Sequence, residues 1–192
     1  MKQNGLFSKK TAQAVLKALS FLPAVLMMCM IFGFSAQDSR SSGQLSSQVT
    51  VRLVSAWEAF LERGWTSGQI AQYALLLEHY IRKAAHMTEY CLLAMTVTIP
   101  LLYVYRKKGR RLLPAVGLFC IAFACLDEFH QLFVPGRAAA LQDVCFDTVG
   151  SLIGICISHI PGRIRKRLRR CSRSGRSVTL SGGRPGPERR GL

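Results

Sequence analysis

Apolar residues gather in four long runs separated by charged or turn-forming stretches. The runs cover about residues 17–35 (including LSFLPAVLMMCMIFGF), 83–105, 112–134 and 144–160. Each comes close to the ~20 residues that carry a helix across a ~30 Å hydrocarbon layer. The last is short, which puts its start at Asp143 in the interface. The pattern predicts an all-α membrane protein with four transmembrane helices. Between the first two runs, Val49, Leu53, Ala56, Trp57, Phe60 and Leu61 recur near helical spacing, and Gly64 and Gly68 punctuate the chain. Thr66-x-x-Gln69 then resembles a capping box opening a second helical stretch through Ile81. Residues 45–81 therefore read as an outer amphipathic helical segment lying on the membrane or covering the bundle. The lysines before the first run also suit a secretory signal, but Phe34 spoils the small-x-small cleavage pattern around Ser35 and Ala36.

The charge distribution orients the runs. The 192 residues carry 26 Lys+Arg against 10 Asp+Glu, a formal net charge of +16, which by itself suggests nucleic acid or an anionic membrane surface. Lys2, Lys9, Lys10 and Lys17 precede the first run, Arg106, Lys107, Lys108, Arg110 and Arg111 link the second and third, and eleven basic residues follow Pro161. Residues 36–81 and the link from Pro135 to Asp143 are mixed in sign. Short cytoplasmic loops carry the Lys/Arg excess, so the three basic segments share the inner side and both termini are cytoplasmic. On this reading residues 1–162 form the four-span domain and 163–192 a basic tail that anchors the last span, its Gly, Ser, Pro and Arg mixture beyond Ser172 favouring disorder. No nucleic-acid partner is expected. The seven cysteines form no CxxC pair, and six lie in apolar stretches, so neither a disulfide framework nor a zinc site is indicated.

The informative residues are polar groups within the runs, because each ionisable group costs roughly 2.5 to 3.5 kcal/mol to insert and is expected to face a partner in the bundle. Ser35 and Gln37 end the first run. The second opens with Arg82, Lys83, His86, Glu89 and Tyr90; the third ends with Asp127, Glu128 and Gln131, followed by Arg137; the fourth begins with Asp143 and Asp147. Arg82, His86 and Glu89 stand at i, i+4, i+7, and Asp143, Asp147, Gly150 and Gly154 at i, i+4, i+7, i+11, so each helix carries one polar stripe. Gly150-x-x-x-Gly154 adds a small surface for close helix contact on the aspartate face. Counting ~1.5 Å per residue from the inner ends puts Glu89, Asp127 and Asp147 about 24, 22 and 20 Å up, one level in the outer leaflet. These residues define one candidate site reached from outside. Two readings stay open: structural ion pairs that hold the helices together, or a ligand site in which the carboxylates bind a divalent cation or act as acid and base, with His86 carrying protons and the arginines gripping phosphate or carboxylate.

The elements Phe34-Ser35-x-Gln37, Ile81-Arg82-Lys83-x-x-His86-x-x-Glu89-Tyr90, Asp127-Glu128-x-x-Gln131-x-Phe133-x-x-Gly136-Arg137 and Asp143-Val144-x-x-Asp147-x-x-Gly150 occur in the order seen in the VanZ-like membrane proteins, which this chain resembles over about residues 15–160. One departure is Asp147, where that family usually has Asn. The resemblance implies a multi-pass protein of the bacterial cytoplasmic membrane and a link to teicoplanin resistance, the property of the founding member. Membrane lipids are then the expected partners. The preferred expectation is a site on the outer face that binds a cell-envelope lipid or a lipid-bearing glycopeptide antibiotic. The alternative is an intramembrane enzyme acting on a lipid-linked phosphate, with Glu89 or Asp127 as base and His86 as acid, although no GxSxG or HExxH motif is present. A transporter of four spans would need to oligomerise to enclose a path, so oligomeric state stays open with it. No cofactor is evident beyond the cation named above.

Overall fold

The computed structural model describes the backbone of residues 3–107 and 111–180, and the side chains of residues 11–38, 40–107 and 111–162. The described backbone is helical, with no strand: α1 (Gln3–Leu19), α2 (Leu22–Ser35), α3 (Ser39–Leu61), α4 (Ser67–Ile99), a π-helical segment (Pro100–Val104), α5 (Leu112–Gln131) and α6 (Leu141–Leu180). The chain forms two compact units, Met1–Ile157 and Ser158–Leu192, and the candidate site belongs wholly to the first. Among the described residues four helical stretches are long and apolar enough to cross a membrane: Thr11–Ser35, Ser67–Val104, Leu112–Gln131 and Leu141–Gly162.

The breaks have local causes. Pro23, in the first turn of α2, has no N–H and its ring clashes with the carbonyl four residues back, so α1 ends before it and a turn at Ser20 and Phe21 intervenes. Asp38 caps α3, accepting the backbone N–H of Ser41 at 2.9 Å. The α3–α4 turn is stitched by the Glu58 carboxylate, which accepts from the backbone N–H groups of Gly64 (3.0 Å) and Trp65 (3.2 Å). α4 then opens with the expected capping box: Thr66 N–H donates to Gln69 Oε1 at 2.9 Å, and Gln69 N–H to Thr66 Oγ1 at 3.3 Å. At the other end of α4, Pro100 cannot continue the i to i−4 ladder, and the chain widens into a π segment in which Tyr105 N–H reaches the Pro100 carbonyl at 2.9 Å.

Four sequence expectations need correction. The second outer stretch and the second span are one uninterrupted 33-residue helix, because Arg82 and Lys83 find partners at Glu78 and Asp143 and nothing between Ile81 and Ala84 breaks a helix. The first outer helix starts at Ser39, under the Asp38 cap, rather than near residue 45. The third span ends as a helix at Gln131, and turns occupy the residues up to Gly136. In the tail, α6 runs on to Leu180, so helical backbone extends past Ser172 where composition favours disorder; Arg and Lys are good helix formers, and residues 181–192 lie outside those described.

Burial in the first unit is inverted relative to a water-soluble bundle. Leu118, Leu126, Phe129, Leu132 and Phe133 are more than half exposed, whereas Ser35, Thr50, Thr98, Asp127, Gln131, Asp147 and Ser151 are buried. Apolar faces turned outward and polar atoms turned inward are what a lipid solvent demands. Ile31, Tyr90, Leu93, Phe123 and Ala124 form one apolar layer joining α2, α4 and α5, and Ala94, Val116, Cys120 and Ile155 a second that brings in α6. α6 approaches α4 as the glycine spacing suggests: a Cβ on Gly150 would stand 2.2 Å from the Met87 carbonyl oxygen, and one on Gly154 2.2 Å from that of Cys91.

Candidate functional site

The polar residues sort into three groups around the C-terminal ends of α2 and α5, the middle of α4 and the start of α6. The deepest joins α2 to α5. Ser35 Oγ donates to Asp127 Oδ2 at 2.6 Å, and Gln131 Nε2 donates to both Ser35 Oγ (3.1 Å) and Asp127 Oδ2 (3.2 Å). Asp127 is fully buried, and its Oδ1 has no partner among the described residues. Tyr90 is also fully buried, its ring 6.2 Å from that of Phe123 and its hydroxyl without a partner among the described residues.

The second group ties α6 to α4 and α5. Lys83 Nζ pairs with Asp143 and sits over the Phe146 ring at 5.7 Å, and the Ala140 backbone N–H donates to Glu128 Oε2 at 2.8 Å. Glu128 thus anchors the link that leads into α6. One helical turn on from Asp143, buried Asp147 faces His86, with 3.9 Å between Oδ1 and Nδ1, too long for a direct hydrogen bond.

The third group surrounds a cavity of about 180 Å³. Arg82, His86 and Glu89 line it from the single α4 face foreseen in their spacing; Gln37 and Arg137 line it from the chain ends beyond α2 and α5. Arg137 is held there by the chain it caps. Gly136 adopts φ 74°, a left-handed conformation that suits glycine, and so turns the next residue toward α2. Arg137 Nε donates to the Gln37 carbonyl at 3.1 Å and Nη2 to the Phe34 carbonyl at 3.3 Å, placing its positive charge at the C-terminal end of α2, where the helix dipole favours a cation. Burial first, and then the charge of nearby Arg82, pull the Arg137 guanidinium below its ordinary range. Among the described residues no carboxylate forms an ion pair with Arg137. Arg82 does have one: its Nη2 donates to Glu78 Oε1 at 3.0 Å.

Every residue of the expected site therefore falls in one of these groups, with Arg82, His86, Glu89, Gln37 and Arg137 on the cavity and the remainder in the networks behind it. The sequence reading missed the fourth wall. Ser42, Leu45, Ser46 and Val49 of α3 close the cavity, with Phe34, Ile81 and Ala85 completing its apolar lining. The i, i+4, i+7 spacing of Ser42, Ser46 and Val49 was a usable signal, but serines in an amphipathic helix are ordinary surface residues until something packs on them. Among the described residues no group of three or more His, Cys, Asp or Glu side chains is arranged to hold a metal ion.

Four apolar spans, outward leucines and a polar interior define a multi-pass membrane protein. Within that class, residues 20–161, well over half of the chain, match the VanZ/LLP1 family, to which this protein belongs. No curated protein and no solved structure gives a significant match.

Proposed function

We propose that the cavity binds the polar end of a cell-envelope lipid, or of a glycopeptide antibiotic bearing a lipid chain, presented from the outer leaflet. The observation that carries this reading is the lining itself: two arginines, a histidine and a glutamate share 180 Å³ with Phe34, Leu45, Val49 and Ile81. A charged head joined to an acyl chain matches such a wall on both counts, whereas a soluble ion would leave the apolar half without a partner. The orientation with both termini cytoplasmic, taken from the loop charges, puts the cavity on the outer side. Its place in a bacterial cytoplasmic membrane and the link to teicoplanin follow from family resemblance and are part of the same proposal.

The test is mass spectrometry of lipids that co-purify with the full-length protein and with Arg137→Ala. A specific lipid retained by the first and lost by the second supports binding; identical, nonspecific lipid profiles refute it. The proximity of His86 to both Asp147 and the cavity favours one rival, an intramembrane enzyme that cleaves a lipid-linked phosphate using His86 and Glu89 as proton carriers. Inorganic phosphate released from a lipid pyrophosphate by the protein, and abolished in Glu89→Gln, would establish that rival.

A further inference from the structure

The residues of the cavity wall carry polar atoms without a partner among the described residues. Arg82 Nε and Ser46 Oγ are both shielded from solvent and, among the described residues, have no hydrogen-bond partner. An N–H or O–H left unmet in such a setting costs about 1 to 3 kcal/mol, a cost recovered when either side chain, both on the cavity lining, turns that group toward a ligand that accepts hydrogen bonds. Arg137 adds further donors: a guanidinium carries five N–H groups, and carbonyls occupy only its Nε–H and one Nη2–H. Three donor side chains from α3, α4 and the segment after α5 therefore converge on one space.

The acidic wall is as specific. Glu89 lines the same cavity, and among the described residues it forms neither an ion pair nor a hydrogen bond. The other carboxylates nearby lie off the cavity lining: Asp127 is bonded to Ser35 and Gln131, Glu128 to Ala140, Asp143 to Lys83 and Glu78 to Arg82, and Asp147 is buried behind His86 on α6. A plain anion would satisfy the arginines and be repelled by Glu89. A plain cation would do the reverse. A headgroup with a phosphate next to a donor-bearing cation meets both.

We infer that the ligand of this cavity is a zwitterionic aminoalkyl phosphodiester lipid, its phosphate held by Arg82, Arg137 and Ser46 and its primary ammonium by Glu89. The apolar residues of α3 and Ile81 then lie along the first segment of the acyl chains. This inference rests on the lipid-binding reading above and narrows it to one headgroup chemistry.

The full-length protein in detergent is titrated with phosphatidylethanolamine, phosphatidylglycerol, phosphatidylcholine and diacylglycerol, followed by native mass spectrometry, with inorganic phosphate as a competitor. Phosphatidylethanolamine should bind about tenfold tighter than the other phospholipids, and diacylglycerol should not bind. Glu89→Gln should remove the preference among phospholipids, whereas Arg82→Gln should weaken all of them by about tenfold. Arg82→Gln also guards against misfolding in Arg137→Ala, since Arg82 caps no helix. Equal affinity for the three phospholipids overturns the ammonium assignment and leaves lipid binding standing. Diacylglycerol binding as well as phosphatidylethanolamine overturns the phosphate assignment too. If inorganic phosphate binds alone and displaces no lipid, or if no lipid binds at all, the lipid reading itself falls.

Discussion

Gly150→Ala tests the contact on which the site depends. The new Cβ would stand 2.2 Å from the Met87 carbonyl oxygen and 2.9 Å from the Met87 C and Cα atoms. All of these are backbone, so no side-chain rotation can relieve the clash. Bringing 2.2 Å to an ordinary 3.4 Å contact requires α6 and α4 to part locally by about 1.2 Å. That movement loosens the second apolar layer at Ala94 and Ile155 and draws Asp143 and Asp147 away from Lys83 and His86. Overpacking of this kind costs about 1 to 3 kcal/mol, and for a chain of this size each kcal/mol lowers the melting temperature by about 2 to 4 °C. Heating the detergent-solubilised protein and following the monodisperse peak by size-exclusion chromatography should thus show a fall of about 5 °C. Gly154→Ala meets the Cys91 carbonyl at the same 2.2 Å and should behave alike, and the double variant should cost less than the sum, since one separation relieves both clashes. Gly33→Ala, with nothing within 4 Å of its added Cβ, is the control and should melt unchanged or slightly higher. A Gly150→Ala protein as stable as the parent would refute the close approach of the two helices.

Further outcomes follow from the polar groups and the loop charges. Ser35→Ala removes the hydroxyl that donates to Asp127 and accepts from Gln131, and should destabilise the folded protein by about 1 to 3 kcal/mol in the same melt. Arg137→Lys keeps a charge but loses the planar fork that meets two carbonyls at once, so it should impair a glycopeptide-susceptibility phenotype that His130→Gln leaves intact. Hydrogen bonds from the Ser41 side chain and backbone hold the Asp38 carboxyl below its ordinary value of 3.8, so its contribution to the start of α3 is complete above that pH and is lost as pH falls through the lowered value. Hydrogen-exchange protection at residues 41–45, taken relative to the intrinsic rate at each pH, should fall on acidification in the parent and be low at all pH values in Asp38→Ala. In a cysteine-free background, single cysteines at Ser42 and Ala139 should react with an impermeant thiol reagent in whole cells, and one at Gly109 should not; labelling at Gly109 would overturn the topology.

Patterns with a fixed period were legible without coordinates. Spans show through because ~20 apolar residues have few other uses, and the Arg82, His86, Glu89 stripe shows through because helix geometry puts i, i+4 and i+7 on one face. The Gly150 and Gly154 contact was foreseen as a surface, but its partner was not, since spacing on one helix carries no information about which backbone meets it. The same limit hid the part played by α3. Whether Ser42 and Ser46 face water or a cavity depends on the direction in which α3 returns, and that is set by the turn at Glu62 to Trp65 and by packing between distant segments. The backbone partner of Glu128 was equally hidden: its carboxylate accepts the Ala140 N–H, a contact any acceptor could make and composition cannot reveal.

The continuity of α4 has a mechanical meaning. Its 33 residues make a stiff rod about 50 Å long, and the two glycines of α6 grip it at Met87 and Cys91, some 30 Å from its N-terminal end. A rod gripped part-way along is a lever. α3 leans on the long N-terminal arm, and the short arm ends at the π segment, where the regular ladder is already interrupted and yielding is easiest. A tilt of about 4° would move the N-terminal end by roughly 2 Å and, in the opposite sense, the C-terminal end by about 1 Å. Wedging a headgroup between α3 and α4 would therefore displace the π segment at the far end of the same helix, with no moving part other than the helix itself.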